Sequence, residues 1–163
     1  MTTTVPPQTA FSPQRAYRIV SVAEMITWAL LIIGMVGKYV FDFDALVFPF
    51  GLIHGTAFVA YAATALIVGL NQRWPLARIV GAVAMAIVPF GTLPLDRSLE
   101  RRGLLTGGWR TEASDDPRDG SVIDRALRWG LRNPVPFAIL VVVIVVAIVS
   151  VLLVIGPPGE WGK

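Results

Sequence analysis

The chain contains no cysteine and a single histidine, His54, among its 163 residues. The lack of cysteine excludes disulfides, thiolate metal sites, iron–sulfur ligation and covalent haem attachment. One histidine cannot supply the ligands of a zinc site or of bis-histidine haem within one protomer. We therefore expect no cofactor and no metal.

Charged residues are also scarce, at 15% of the chain against 55% hydrophobic residues, whereas soluble domains typically carry about a quarter charged residues. The apolar residues come in blocks, and a block of roughly 20 residues is long enough to cross a ~30 Å hydrocarbon core. The sequence therefore predicts an all-α membrane protein. Its predicted hydrophobic segments are 17–37, 50–70, 77–95 and 135–156.

These blocks predict a domain organisation. Gly51 and Gly55 form a GxxxG pair and Gly81 follows Ala77 at the same spacing, so we expect close helix packing among the first three segments. The last segment is almost entirely Val, Ile and Leu, and we expect it at the periphery of the bundle. The predicted units are a disordered tail (1–14), a three-segment membrane domain (15–102), an Arg-rich loop (103–134) with an amphipathic helix at 121–132, the fourth transmembrane helix (135–156) and a tail (157–163).

The third segment leaves the topology open, because Pro89, Gly91 and Pro94 interrupt it. We favour four full spans, yet a cytoplasmic N-terminus would then place nine basic residues outside and five inside, against the positive-inside rule. With the opposite orientation in the membrane, nine basic residues lie inside and five lie outside. If segment 77–95 is re-entrant instead, with a hinge at these residues, all twelve arginines share one side and the two lysines lie on the other.

The amphipathic helix in the loop is marked by a Ser121/Asp124 cap and an Asn133-Pro134 stop. Its arginines would suit an anionic lipid surface, although packing against protein is an equal alternative. The residues predicted to contact headgroups are Arg125, Arg128 and Arg132.

Two polar residues inside the hydrophobic segments are candidates for function. Glu24 should face the bundle interior, where Tyr61 and Thr64 are expected at its depth, because a charged side chain in lipid is costly. His54 is expected near the opposite end, close to Lys38, Asp96 or a backbone carbonyl. Glu24 could be a proton or cation site with His54 as a titrating gate. We favour the simpler interpretation that both form hydrogen bonds between helices.

The stretches RAYRIVSVAEMITWALLIIGMVGKY, FGLIHGTAFVAYA and IVPFGTLPLDR combine these polar residues with a Pro-Phe-Gly-Thr turn at 89–92. The combination resembles a family of small uncharacterised bacterial integral membrane proteins with a His-Gly motif (YdzA-like), over residues 15–102. The resemblance implies a compact three-segment domain at the plasma membrane, with Glu24, Lys38, His54 and the turn as signature positions. It implies no activity, substrate or cofactor.

No catalytic set is recognisable, because Ser21 and Thr27 lack a neighbouring base, and we expect no enzyme activity. We expect a non-enzymatic accessory or assembly subunit of a membrane complex, multi-pass in the bacterial plasma membrane. Its partners would be the bilayer and another membrane protein or a second copy, with no role for nucleic acid. The alternative is a small oligomeric transporter or channel that uses Glu24 and His54 on a proton or cation path.

Overall fold

The computed structural model describes residues 11–156, which form six α-helices, one 3₁₀ turn (Pro117–Gly120) and no β-strand. The all-α prediction is confirmed. The predicted tail 157–163 lies outside the described residues, as does most of the tail 1–14. The helices are α1 (Pro13–Phe41), α2 (Val47–Asn71), α3 (Leu76–Met85), α4 (Thr92–Arg101), α5 (Val122–Arg132) and α6 (Pro134–Ile155).

Helix α1 is longer at both ends than the predicted 17–37. It begins where the Ser12 side chain accepts a hydrogen bond from the backbone N–H of Arg15, with Pro13 in the first turn, where a missing N–H costs nothing. It ends at Asp42, which adopts a left-handed conformation with φ 53°. Aspartate tolerates this region better than most residues.

The connection after α1 folds back onto the helix before α2 begins. The N–H of Phe43 donates to the carbonyl of Gly37 at 3.0 Å. A Cβ at Gly34 would lie 3.2 Å from the carbonyl oxygen of Leu46, so glycine permits this close approach. The fold-back shifts the register of the two antiparallel helices by about two turns from the register that the predicted boundaries imply, since Thr27 meets His54 and Tyr17 meets Tyr61.

The predicted third segment, 77–95, is not one helix. It forms α3 and α4, which are separated by a turn at residues 86–91. Phe90 takes φ 62°, and a Cβ at Gly91 would lie 2.8 Å from the carbonyl oxygen of Met85. Pro89 lies in this turn and Pro94 lies in the first turn of α4, where proline is tolerated.

Helices α3 and α4 form a hairpin that returns to the end of the molecule from which it starts. Helix α3 packs against the last turns of α2, where a Cβ on Gly69 would meet Ile79 at 2.7 Å. At the tip, the indole N–H of Trp28 donates to the carbonyl of Ala86 at 3.0 Å. At the base, Glu100 accepts from the side chain of Gln14, at the start of α1. Each helix of the hairpin is only about 15 Å long.

Three helices of the described chain are long and apolar enough to cross a membrane: α1, α2 and α6. Helix α6 follows α5 after one residue, Asn133, and packs alongside α2. Within α6 only Val145 is buried, so this helix is peripheral as predicted. The protein is an all-α membrane protein in which two long helices and a half-length hairpin form the packed unit.

The predicted packing glycines are not at helix contacts. Apart from the adjoining residues and backbone of its own helix, no heavy atom of residues 11–156 lies within 4 Å of a Cβ placed on Gly51, Gly55 or Gly81. The close approaches occur instead at Gly34 and Gly69.

Candidate functional site

A column of polar side chains runs between α1 and α4 from the Arg-rich end to the middle of the molecule. On α1 these residues recur every three or four positions, so they form a stripe that winds around the helix from the side of α4 at Arg18 to the side of α2 at Thr27. We call this set the polar column: Gln14, Arg18, Ser21, Glu24 and Thr27 on α1, Thr92, Asp96 and Glu100 on α4, and His54 on α2.

Glu24 is completely buried at the centre of the polar column. Its Oε2 lies 2.7 Å from the hydroxyl of Thr92, which is also 3.2 Å from the backbone carbonyl of Ser21. Its other oxygen, Oε1, is buried without a hydrogen-bond partner. Glu24 therefore faces the bundle interior as predicted, although its partner is on α4.

The residues expected to bind Glu24 make other contacts. The Tyr17 and Tyr61 hydroxyls lie 2.6 Å apart, and Tyr61 donates to the carbonyl of Ala82. Thr64 donates to a carbonyl of its own helix, that of Ala60. The expectation was wrong because it took α1 and α2 to end level with each other, whereas the fold-back displaces them.

His54 lies beside the middle of α1 and not near its end. Its Nδ1 is 3.1 Å from the hydroxyl of Thr27, and its ring centroid is 4.4 Å from that of Trp28. Thr27 also donates to the backbone carbonyl of Glu24. His54 is thus one turn from Glu24, and the expected contacts with Lys38 or Asp96 do not form.

Asp96 and Lys38 lie at opposite ends of α1. Asp96 is completely buried and accepts from Nε of Arg18 at 3.1 Å, while its Oδ1 has no partner. The same guanidinium forms a second ion pair with Glu100. Lys38 is exposed, and its ammonium lies 5.6 Å from the ring centroid of Tyr39. Asp96 therefore belongs to the polar column and Lys38 does not.

A second polar cluster, centred on Asp119, connects the loop to the end of α2. The Asp119 carboxylate accepts from the side chain and backbone N–H of Ser114, and forms ion pairs with Arg73, Arg110 and Arg128. The hydrogen bonds from Ser114, followed by the nearby guanidinium charges, lower the pKa of Asp119 to about 2. This cluster fixes the loop against the helices.

The predicted headgroup contacts need correction. Arg128 is buried and binds Asp119 through its side-chain carboxylate and its backbone carbonyl, so it cannot reach lipid. Arg132 donates to the carbonyl of Thr111. Arg125 remains exposed. Arg128 faces the Asp119 cluster, whereas the exposed residues of α5 include three large apolar side chains, Val122, Ile123 and Trp129, as well as Arg125 and Arg132.

The sequence interpretation missed the polar column as a unit. Its signal is nevertheless visible, since Arg18, Ser21, Glu24 and Thr27 recur every three residues in an otherwise apolar helix. Its second half, Thr92 and Asp96, could not be assigned because segment 77–95 was treated as one span. The carboxyl groups of the polar column can bind protons, and its hydroxyl groups can donate and accept hydrogen bonds. No group of three or more metal-ligating side chains occurs among residues 11–156.

The model of a protein family described as "Domain of unknown function (DUF3817)" matches residues 14–101. The chain belongs to this family. The match covers α1 to α4 and hence every residue of the polar column, His54 included, while α5 and α6 lie outside it. The predicted resemblance to an uncharacterised bacterial membrane family is confirmed.

One curated relative is a protein of Streptomyces coelicolor, SCO5905, which is named as a membrane protein. It is 34% identical over 93 residues, which is 56% of this chain and 11% of the relative. The chain therefore matches about a tenth of that protein's length. No solved structure shows a significant match.

Proposed function

We propose that this DUF3817 protein is a non-enzymatic accessory or assembly subunit of a larger complex in the bacterial plasma membrane. The observation that carries the proposal is the outward face of α2. Glycines at the spacing of Gly51 and Gly55 ordinarily allow a second helix to approach closely. Here the space beside both glycines is open, so a helix of a partner could pack against them. The Gly81 position on α3 is open in the same way.

The S. coelicolor relative supports a role in association. There, the matching region forms a small part of a much longer protein named as a membrane protein. A domain that is fused to other membrane segments in that protein could, in the present protein, contact similar segments that belong to a separate chain. The partner proposed here is another membrane protein with a complementary small-residue helix face.

The charge distribution supports one orientation for a multi-pass arrangement. The contacts of Gln14 with Glu100 and of Arg73 with Asp119 gather the start of α1, the base of the hairpin and the loop at one end. All twelve arginines of the sequence lie in these segments. By the positive-inside rule, this end is cytoplasmic, α1, α2 and α6 span, and the hairpin is re-entrant.

The test is purification of the tagged protein from native membranes in mild detergent, with partners identified by mass spectrometry. A stoichiometric partner should be retained by the wild type and lost from the Gly51→Leu/Gly55→Leu variant. Ala147→Leu on the exposed side of α6 is the matched control and should retain it. Recovery of the protein alone would contradict the proposal.

A small oligomeric transporter or channel is the second candidate, because Glu24 keeps a buried, unpartnered oxygen near the middle of α1. Three spanning helices enclose little space, so a path would require several copies. A homo-oligomer whose proton or cation flux in proteoliposomes disappears in Glu24→Gln would favour this function over the accessory role.

A further inference from the structure

The Thr92 hydroxyl contacts two oxygen atoms but has only one hydrogen to donate. Its hydroxyl lies 2.7 Å from Oε2 of Glu24 and 3.2 Å from the backbone carbonyl oxygen of Ser21. A hydroxyl has one hydrogen, and an ionised carboxylate and a carbonyl are both acceptors only. With an ionised Glu24, the two acceptors must share one hydrogen, which weakens both contacts. Both contacts become hydrogen bonds when the carboxyl donates to Thr92 and Thr92 donates to Ser21.

We propose that Glu24 binds a proton in the folded protein, and that this proton exchanges with the compartment at the Arg-rich end. The inference does not depend on the accessory role proposed above, since it concerns a site within one protomer. It assigns the α1–α4 interface a ligand, a single proton, at Oε2 of Glu24.

The surroundings of Glu24 favour the neutral acid. Its Oε1 is buried and accepts no well-formed hydrogen bond, because the Trp28 indole N–H, which interacts with this carboxyl, is directed at the carbonyl of Ala86. An ionised carboxylate paired this weakly in an apolar interior is costly. None of the ion pairs within residues 11–156 includes Glu24. The nearest guanidinium along the column, that of Arg18, already binds Asp96 and Glu100.

The other ionisable groups around this site are accounted for on each element. On α2, Tyr61 donates to a backbone carbonyl of α3, and His54 lies against Thr27 one turn away. On α3, Arg78 is exposed, and on α4 the acid that follows Thr92 is Asp96. These groups supply no charge that would replace the proton on Glu24.

The route for exchange lies toward the Arg-rich end. Asp96 is one turn beyond Thr92 on the same face of α4, about 6 Å closer to that end. Its Oδ1 is buried and unpartnered, so it can accept a proton in transit. Toward the opposite end, the column stops at His54, whose ring packs against Trp28. The polar groups that could relay a proton therefore continue from Glu24 only toward the Arg-rich end.

Infrared spectroscopy of the full chain in nanodiscs tests the proposal, because a protonated carboxylic acid has a C=O stretch distinct from that of a carboxylate. We expect this band in the wild type at neutral pH, and its loss in Glu24→Gln. Asp96→Asn is the matched control and should keep the band. Its deuterium exchange should slow on the order of tenfold or more, since positioned groups speed proton transfer by about 10²–10⁴-fold.

Thr92→Val provides an independent variant should Glu24→Gln fail to fold. It removes the acceptor of the carboxyl hydrogen, and we expect the band to move to higher frequency. Absence of the band from the wild type, or no band shift in Thr92→Val, would overturn the proposal. A band that persists in Glu24→Gln and disappears in Asp96→Asn would overturn it by placing the proton on Asp96. An unchanged exchange rate in Asp96→Asn would overturn the route.

Discussion

The indole N–H of Trp28, in the middle of α1, donates to the carbonyl oxygen of Ala86, the residue at which α3 ends. The last carbonyls of a helix have no partner within that helix. The contact therefore gives one of these groups a partner where water would otherwise be needed, and it fixes the hairpin tip to α1. The same side chain packs against His54, so one residue joins the hairpin, α1 and α2.

Replacing Trp28 with Phe should loosen the hairpin tip. The variant keeps an aromatic ring but removes the donor to Ala86, and we expect the free energy of unfolding to fall by about 1 kcal/mol. Unfolding in mixed detergent, followed by circular dichroism, measures this change. Trp129→Phe, at an exposed position on α5, should behave as wild type. Equal stability of the two variants would contradict the importance of this bond.

Glycines of α1 and α2 should differ sharply in their tolerance of a methyl group. Gly34→Ala would place a Cβ 3.2 Å from the backbone of Leu46 and 3.3 Å from the side chain of Phe50, and overpacking of this kind costs about 1–3 kcal/mol. Gly51→Ala meets open space inside α2 and should raise the stability of the isolated protein by about 0.5–1 kcal/mol, because alanine favours the helix over glycine. The same unfolding assay compares the two. A destabilised Gly51→Ala in the purified monomer would show that this face is packed within the protomer.

Acid should weaken the Asp119 cluster. The hydrogen bonds from Ser114 and the adjacent arginines lower the pKa of Asp119 from 3.8 to about 2, so the stabilisation is complete above pH 3.8 and is lost as the pH falls toward 2. Thermal unfolding between pH 5 and pH 2 should show a fall in Tm in this window. Asp119→Asn should start from a lower Tm and lose less on acidification. Asp115→Asn, at an exposed neighbour, should follow the wild-type curve.

The absence of cysteine makes the topology directly testable. Single cysteines at Asp44, in the exposed α1–α2 connection, and at Asp115, in the exposed loop, lie at opposite ends of the molecule. In intact cells, an impermeant maleimide should label Asp44→Cys and should label Asp115→Cys only after lysis. Labelling of both positions in intact cells would contradict the three-span arrangement, and the reverse pattern would contradict its orientation.

The sequence predicted the long helices because their evidence is local. A block of 20 or more apolar residues in Tyr17–Gly37, or the Val- and Ile-rich run of α6, allows few alternatives to a membrane helix. The buried position of Glu24 was predictable for the same reason, since lipid exposure of an acid is costly.

The relative placement of the helices was not predictable, because it depends on contacts distant in sequence. The fold-back against Gly34 changes which residue of α2 faces Glu24. Arg128 resembles a headgroup-binding residue until the loop brings Asp119 beside it. The break at residues 86–91 was signalled by proline and glycine, yet only the contacts of Trp28 and Glu100 show that the chain turns back.

Helix α5 directs Arg128 toward protein and Val122, Ile123 and Trp129 outward. The outward surface of α5 therefore combines these large apolar side chains with the exposed Arg125 and Arg132. In an aqueous cell extract, the exposed apolar side would favour aggregation. The contacts that fix the Arg-rich loop lie at the end of α2, where Asn71 accepts from the backbone N–H of Arg110 and Arg73 pairs with Asp119, so the loop takes this form only when α2 is folded. A detergent or lipid that covers α5 poorly should release this loop before the helices separate.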